Sequence, residues 1–190
     1  MKKNLKIPAV LALLFISIFA QAAGYYFSRS FSVLSLSLLS FIISFEVLLY
    51  FTKTQESKFS EFYMRDLKKA GLKSSVLNAG AVIFFSLLVL SKLFKVLQDA
   101  HSFDAATAQY FVLTALFVFI LCSRLVFGNK TLFRIFLFSS ISALLAEFCI
   151  FAVSKSGIFS LDIYASFFLI STVLVLSVLS IIKSIKAVKN

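Results

Sequence analysis

The sequence has no tryptophan, one proline, one histidine and two cysteines among its 190 residues. Because Cys122 and Cys149 show no CxxC or CxxH spacing and His101 is the single histidine, there is no plausible zinc or haem ligand set. We therefore expect no metal site and no cofactor. Asp99 and Asp104 flank His101, but a short polar loop of this kind is normally solvated.

Catalytic groups are equally scarce. A nucleophilic serine or cysteine needs a base and an orienting group beside it, and no such cluster is evident, so we expect that the protein is not an enzyme. An enzyme of lipid or envelope metabolism ranks third among the functional hypotheses, because it would require a catalytic cluster that the sequence does not contain.

Charge is also scarce: 14% of the residues are charged and 61% are hydrophobic, with a mean hydropathy of +1.01. Soluble domains have about 25% charged and about 45–50% apolar residues, so this composition indicates a membrane protein. The net charge of +11 could suggest nucleic-acid binding. However, the basic residues lie between and beside apolar runs, not on a soluble surface interleaved with aromatics, and we expect no nucleic-acid partner.

What the sequence does contain is six long apolar runs. About 20 mostly apolar residues form a helix that crosses the ~30 Å hydrocarbon layer, and the runs lack the period-two alternation of barrel strands. They predict an all-α, six-transmembrane-helix bundle in one membrane domain over residues 1–190, with helices at about 7–28, 30–52, 74–97, 106–127, 132–154 and 161–182.

The distribution of lysine and arginine predicts the orientation. With both termini in the cytoplasm, four of the 19 basic residues fall on the outer side, namely Arg29, Lys92, Lys95 and Lys155. This N-in, C-in arrangement suits a bacterial inner membrane. An alternative is that residues 1–22 are a signal peptide, because Ala20, Gln21 and Ala22 form an A-x-A pattern. Cleavage would leave five helices, and we favour an uncleaved first helix because the apolar run continues beyond residue 22.

The segment 53–73 is predicted to form an amphipathic interfacial helix between helices 2 and 3. Its apolar and basic residues recur on different sides of a helix, and Gly71 is placed to end it. We interpret it as a helix in the lipid headgroup layer, or alternatively as a docking site for a cytoplasmic partner. The residues expected to contact lipid or partner are Phe59, Phe62, Tyr63, Arg65, Lys68 and Lys69.

Four charged residues lie about four to six residues inside an end of their predicted span, where an ionised group is costly and therefore a candidate for function. Glu46 and Arg124 lie at similar depths near the inner side, and Glu147 and Lys92 near the outer side. We predict two pairs, which either lock helices together or bind a solute or ion. Snorkelling to the interface is a third possibility for Lys92 and Arg124.

A faint internal repeat relates the two halves of the chain. Glu46 and Glu147 are 101 residues apart, each late in the second helix of a three-helix half. Halves with an odd number of helices are inverted relative to each other, as in many secondary transporters. Against a transporter, the five glycines and Pro8 are not placed to break a helix in mid-membrane.

Six spans with both ends inside, together with the small residues Ala9 and Ala12 in helix 1, resemble the substrate-binding subunits of energy-coupling-factor vitamin transporters. The resemblance implies a solute-binding membrane subunit and carries over no site residue. We expect small-solute transport, or a solute-binding subunit of a transporter. The alternative is a non-catalytic subunit or assembly factor of a larger membrane complex. The expected partners are the lipid bilayer, a small-molecule solute and other membrane subunits.

Overall fold

The computed structural model describes residues 6–55, 61–96 and 103–189. Within these ranges, some residues are described by their backbone alone: 6, 49, 51–55, 61–75, 95–96, 183–184 and 186–189. This part of the chain contains no strand and forms six helices: α1 (Lys6–Ser28), α2 (Phe31–Gln55), α3 (Glu61–Val96), α4 (Ala105–Leu125), α5 (Lys130–Ser156) and α6 (Ser160–Lys189). All six are long and apolar enough to cross a membrane. The prediction of an all-α, multi-pass membrane protein is thus confirmed.

Helix α3 differs from the prediction. It runs through Gly71 without a break and joins the expected interfacial segment to the third span in one helix of 36 residues. A glycine inside a helix costs only about 1 kcal/mol relative to alanine, and no proline follows it. At ~1.5 Å per residue the helix is about 54 Å long, well beyond the ~30 Å hydrocarbon layer. Gly71 therefore does not end a separate helix.

Helix α2 is the centre of the bundle. It contacts each of the other five helices. In its membrane-spanning segment, Phe31–Leu48, 72% of the residues are buried inside the bundle, against 28–44% in the other five spans. Serines allow this close approach: Ser32, Ser35, Ser40 and Ser44 are all buried. The hydroxyls of Ser35 and Ser44 donate to carbonyls one turn back in the same helix. In the sequence, Ser37, Ser40 and Ser44 form a stripe opposite Glu46, and these two polar faces predict that helix 2 is surrounded by other helices. The contacts of α2 confirm this prediction.

The remaining helices pack around α2 in pairs. Helix α1 packs against α2 and α4, α4 against α5, and α3 against α6. A close contact fixes the α1–α4 pair, because a Cβ added to Gly24 would overlap the ring of Phe111. The α1–α2 turn is equally tight, with Arg29 in the left-handed region (φ 61°).

The turns and helix starts meet at one end of the bundle, which we call the Asp162 end (residues 28–31, 103–105 and 157–162). There the backbone N–H of Asp104 donates to the carbonyl of Ser28 at 2.9 Å, and the rings of Phe103 and Phe159 lie 5.6 Å apart. The α4–α5 turn lies at the opposite end, which we call the Arg124 end (residues 124–134).

Candidate functional site

Glu147 lies inside a membrane span and, among the described residues, lacks the cationic partner expected of an ion pair that holds two helices together. It lies half-buried on α5 beside the buried small residues Ala143 and Ala146, where α5 packs against α4. The side chain of Gln109 on α4 lies close to the Glu147 carboxyl. The Glu147 Oε2 atom is nevertheless buried and has no hydrogen-bond partner in the part of the chain that the structure describes.

The predicted pairing of Glu147 with Lys92 is not formed. Lys92 is exposed on α3, a helix that packs against α6 and α2, whereas α5 packs against α4, α6 and α2. Both residues lie at the depth that helical rise predicts, but depth does not determine which helices become neighbours. Lys92 is therefore free to extend along the helix toward the interface, as the snorkelling alternative holds.

The structure places Glu46 and Arg124 on two helices that touch. Glu46 is half-buried on the central helix α2, while Arg124 is exposed in the last turn of α4. A cation in the last helical turn is favoured by the helix dipole, and its exposure also allows snorkelling. The Glu46–Arg124 pairing stays a prediction.

A buried carboxylate that the sequence analysis overlooked fastens α6 to α2. Asp162, in the first turn of α6, is fully buried. Its carboxylate accepts hydrogen bonds from the Ser30 hydroxyl at 2.7 Å and from the backbone N–H groups of Phe31 at 2.9 Å and Ser32 at 3.2 Å. Those two N–H groups begin α2 and have no partner inside their own helix. Asp162 thus acts as an N-cap supplied by another helix.

The Asp162 contact extends one turn along α6. The backbone carbonyl of Asp162 accepts from the hydroxyls of Ser32 at 3.1 Å and Ser166 at 2.7 Å. The sequence contains two features that point to this contact. An aspartate begins the last apolar run, and only Arg29 and Ser30 separate the first two helices. These features could not identify the partner, because Ser30 and Asp162 are 132 residues apart.

A second buried polar contact joins α1 to α2. Gln21 is fully buried; its side-chain amide donates to the Ser17 hydroxyl at 2.5 Å, and its carbonyl oxygen accepts from the Ser40 hydroxyl at 3.3 Å. The same residue is the centre of the A-x-A pattern that suggests signal-peptide cleavage. Its role as an interhelical hydrogen-bonding group accounts for a polar residue there without cleavage.

The predicted interfacial residues are only partly covered by the structure. Phe59 lies outside the described residues. The other five belong to α3, where the structure describes the backbone but not the side chains: Phe62, Tyr63, Arg65, Lys68 and Lys69. Their contact with lipid or a partner remains a prediction.

Asp104 has a structural role at the start of α4. As the N-cap it accepts from the Thr107 backbone N–H at 3.1 Å and from the Thr107 hydroxyl at 2.5 Å. These bonds favour the ionised form and lower the pKa of Asp104 from its usual value of 3.8. Its loop neighbours Asp99 and His101 lie outside the described residues.

The two cysteines lie inside spans and carry no disulfide. Cys122 is buried on α4, and Cys149 is half-buried on α5. Within the described ranges, no group of three or more His, Cys, Asp and Glu residues is gathered closely enough to hold a metal ion.

Comparison with known proteins adds no relative. No protein-family model matches the chain, and a search of curated proteins finds no significant match.

Proposed function

We propose that this protein binds and moves a small solute within the membrane, as a transporter or as the solute-binding subunit of one. The binding group consists of Glu147 on α5 and Gln109 on α4. One observation carries the proposal: Glu147 has a buried carboxyl oxygen without a hydrogen-bond partner in the described structure, inside a membrane span.

The physical argument rests on the cost of that oxygen. A buried carboxyl that only locks helices together would have its acceptors satisfied by protein donors, because an unsatisfied buried acceptor costs about 1–3 kcal/mol or more when charged. If Glu147 only held two helices together, Lys92 would be its partner, but Lys92 is exposed on α3, which packs mainly against α6 and α2. An acceptor kept unsatisfied at such a cost is typical of a functional group that receives a proton, a cation or a donor group of a solute.

The proposal is tested by native mass spectrometry of the full-length protein purified in mild detergent. We expect a small molecule to co-purify and to be lost in Glu147→Gln and Glu147→Ala. Ser140→Ala is the matched control, because Ser140 is a half-buried polar residue of the same helix whose hydroxyl bonds to the Phe136 carbonyl. A molecule retained by both Glu147 variants would contradict the proposed site.

A covalent probe gives a second, ligand-independent readout. Dicyclohexylcarbodiimide adds to a protonated carboxyl group in an apolar environment; the adduct rearranges to a stable N-acylurea that peptide mass spectrometry can locate. We expect modification at Glu147, with Asp162, whose carboxylate oxygens already accept three hydrogen bonds, unmodified. Modification of Asp162 with Glu147 untouched would argue that Glu147 is not the accessible group.

A second candidate function is a non-catalytic subunit of a larger membrane complex. It is favoured by an apolar groove of about 210 Å³ between α5 and α6, whose walls include the exposed rings of Phe138 and Phe168. Ala9 and Ala12 are also exposed on α1, where a partner helix could approach closely. If the mass spectra show a stable complex with other subunits and no small molecule, this function replaces the first.

The orientation belongs to the same proposal. The distribution of basic residues supports an orientation with the Arg124 end and both termini in the cytoplasm and the first part of α3 at the cytoplasmic membrane surface. A bacterial inner membrane suits this arrangement. Cysteine-accessibility labelling of intact cells at Ser156 and Gly128, each changed to cysteine, tests it: we expect labelling from outside at residue 156 and not at residue 128.

A further inference from the structure

We propose that the Arg124 end binds the phosphate group of an anionic phospholipid through Arg124, Lys130 and Arg134. These three cations lie within eleven residues of each other on the α4–α5 hairpin, and all three side chains are exposed. Arg124 is in the last turn of α4, and Lys130 begins α5. The inference does not depend on the proposed solute site.

The depth of these cations in the membrane determines which anions can reach them. All three fall inside the apolar segments long enough to cross the membrane, Ala105–Leu125 and Lys130–Ser156. Arg134 is four residues into α5, about 6 Å along the helix axis at ~1.5 Å per residue. At that depth the side chains reach the phosphate layer of the bilayer, where lipid headgroups are the abundant anions.

All three side chains are exposed, where an external anion can reach them. Among the described residues, Lys130 and Arg134 make no ion pair and no cation–π contact, and the pairing of Arg124 with Glu46 stays a prediction. The Asp162 end behaves differently: the Arg29 guanidinium lies 5.4 Å from the Tyr26 ring centroid, and the Lys155 ammonium lies 5.8 Å from that of Phe151. Among the described side chains, the exposed cations of the Arg124 end are grouped on one hairpin, where they can bind an external anion.

The hairpin also offers an apolar contact beside the charges. The Phe127 ring is 74% exposed and packs edge-on against Phe133 at 5.3 Å. An exposed aromatic ring among cations suits a ligand with a charged head and an apolar tail. Lys130 and Arg134 are four residues apart and thus on one face of α5, and an arginine can bind phosphate through two parallel hydrogen bonds. Basic sites between transmembrane helices bind anionic headgroups in this way.

The test compares lipids on the purified full-length protein by native mass spectrometry and thermal unfolding in detergent. The ligands are dioleoyl phosphatidylglycerol, dioleoyl phosphatidylcholine and soluble glycerol 3-phosphate. The test variant carries Arg124→Gln, Lys130→Gln and Arg134→Gln. The matched control loses the same charge in the half of the bundle nearer the Asp162 end, with Arg29→Gln, Lys92→Gln and Lys155→Gln.

We expect phosphatidylglycerol to bind more tightly than phosphatidylcholine and to raise the unfolding temperature of the wild type. Each cation removed weakens binding by about fivefold, or about a hundredfold for the test variant, while the control stays within about fivefold of the wild type. Equal binding of both lipids would overturn the proposal, and so would an equal loss in the control. Protection by glycerol 3-phosphate alone would show a site for a soluble phosphate, which also contradicts a lipid site.

Discussion

Replacing Asp162 by alanine is the most demanding test of how this bundle is held together. The change removes three hydrogen bonds to a buried carboxylate, from the Ser30 hydroxyl and from the backbone N–H groups of Phe31 and Ser32. It also leaves the first N–H groups of α2 without an acceptor in a region closed to water. The perturbation therefore affects the start of the central helix and its attachment to α6.

The magnitude follows from the number and type of bonds. Hydrogen bonds to a charged group contribute about 1.5–3 kcal/mol each, but bonds that share one acceptor are not additive. We expect Asp162→Ala to lower the free energy of unfolding by about 3–5 kcal/mol, the range found when one partner of a buried charged pair is removed. Asp162→Asn retains an Oδ1 acceptor, which serves Ser30 and Ser32 in the wild type, and we expect a loss of about 1–2 kcal/mol.

The assay is reversible unfolding in mixed micelles with increasing sodium dodecyl sulfate, followed by far-ultraviolet circular dichroism. Asp104→Ala is the control, since Asp104 also caps a helix at the Asp162 end but is exposed and bonds within its own helix start. Loss of such a cap costs about 1 kcal/mol. If Asp162→Ala proves no more destabilising than Asp104→Ala, the interhelical cap does not hold α6 to α2 and the reasoning is refuted.

Three further predictions concern other contacts. Gly24→Ala should destabilise the protein by about 1–3 kcal/mol in the same assay, because the new methyl group overlaps the Phe111 ring, and a companion Phe111→Leu change should restore part of the loss. Gln21→Leu should cost about 1–2 kcal/mol, since it removes the partner of the Ser40 hydroxyl; an unchanged unfolding midpoint would contradict this role. The Asp104 cap should stabilise the protein above about pH 3.8 and be lost as the pH falls through the lowered pKa. Asp104→Asn should abolish that part of the pH dependence of unfolding.

Composition and run length were sufficient to predict the spans, because the hydrocarbon thickness sets the length of a crossing helix. The predicted 7–28 corresponds to Lys6–Ser28, and 161–182 lies inside Ser160–Lys189. The exception is α3, where Gly71 and the change to a charged segment suggested a boundary. Backbone hydrogen bonding continues through both, because neither a single glycine nor a run of lysines prevents a helix.

The pairing of charges was harder to predict than the spans, because depth along a helix is local information and helix adjacency is not. Glu147 and Lys92 have suitable depths, but α5 packs mainly against α4, α6 and α2, whereas α3 packs mainly against α6 and α2. The interhelical hydrogen bonds include those of Asp162 with Ser30 and of Gln21 with Ser40. No sequence motif indicates these hydrogen bonds, and the partners became identifiable only once α2 was known to lie between α1 and α6.

The same central position of α2 limits the internal repeat. The α1–α2 and α4–α5 hairpins and the packing of α3 on α6 follow the order that two inverted three-helix halves require. In such a repeat, however, α5 would be as enclosed as α2. In the structure, 33% of the residues in the α5 span are buried inside the bundle, against 72% in the α2 span. Glu46 and Glu147 thus occupy unlike environments despite their matching positions in the sequence. Glu147 lies on the less enclosed of the two helices, where α5 packs against α4, so the two carboxylates are not related by an axis between two equivalent halves.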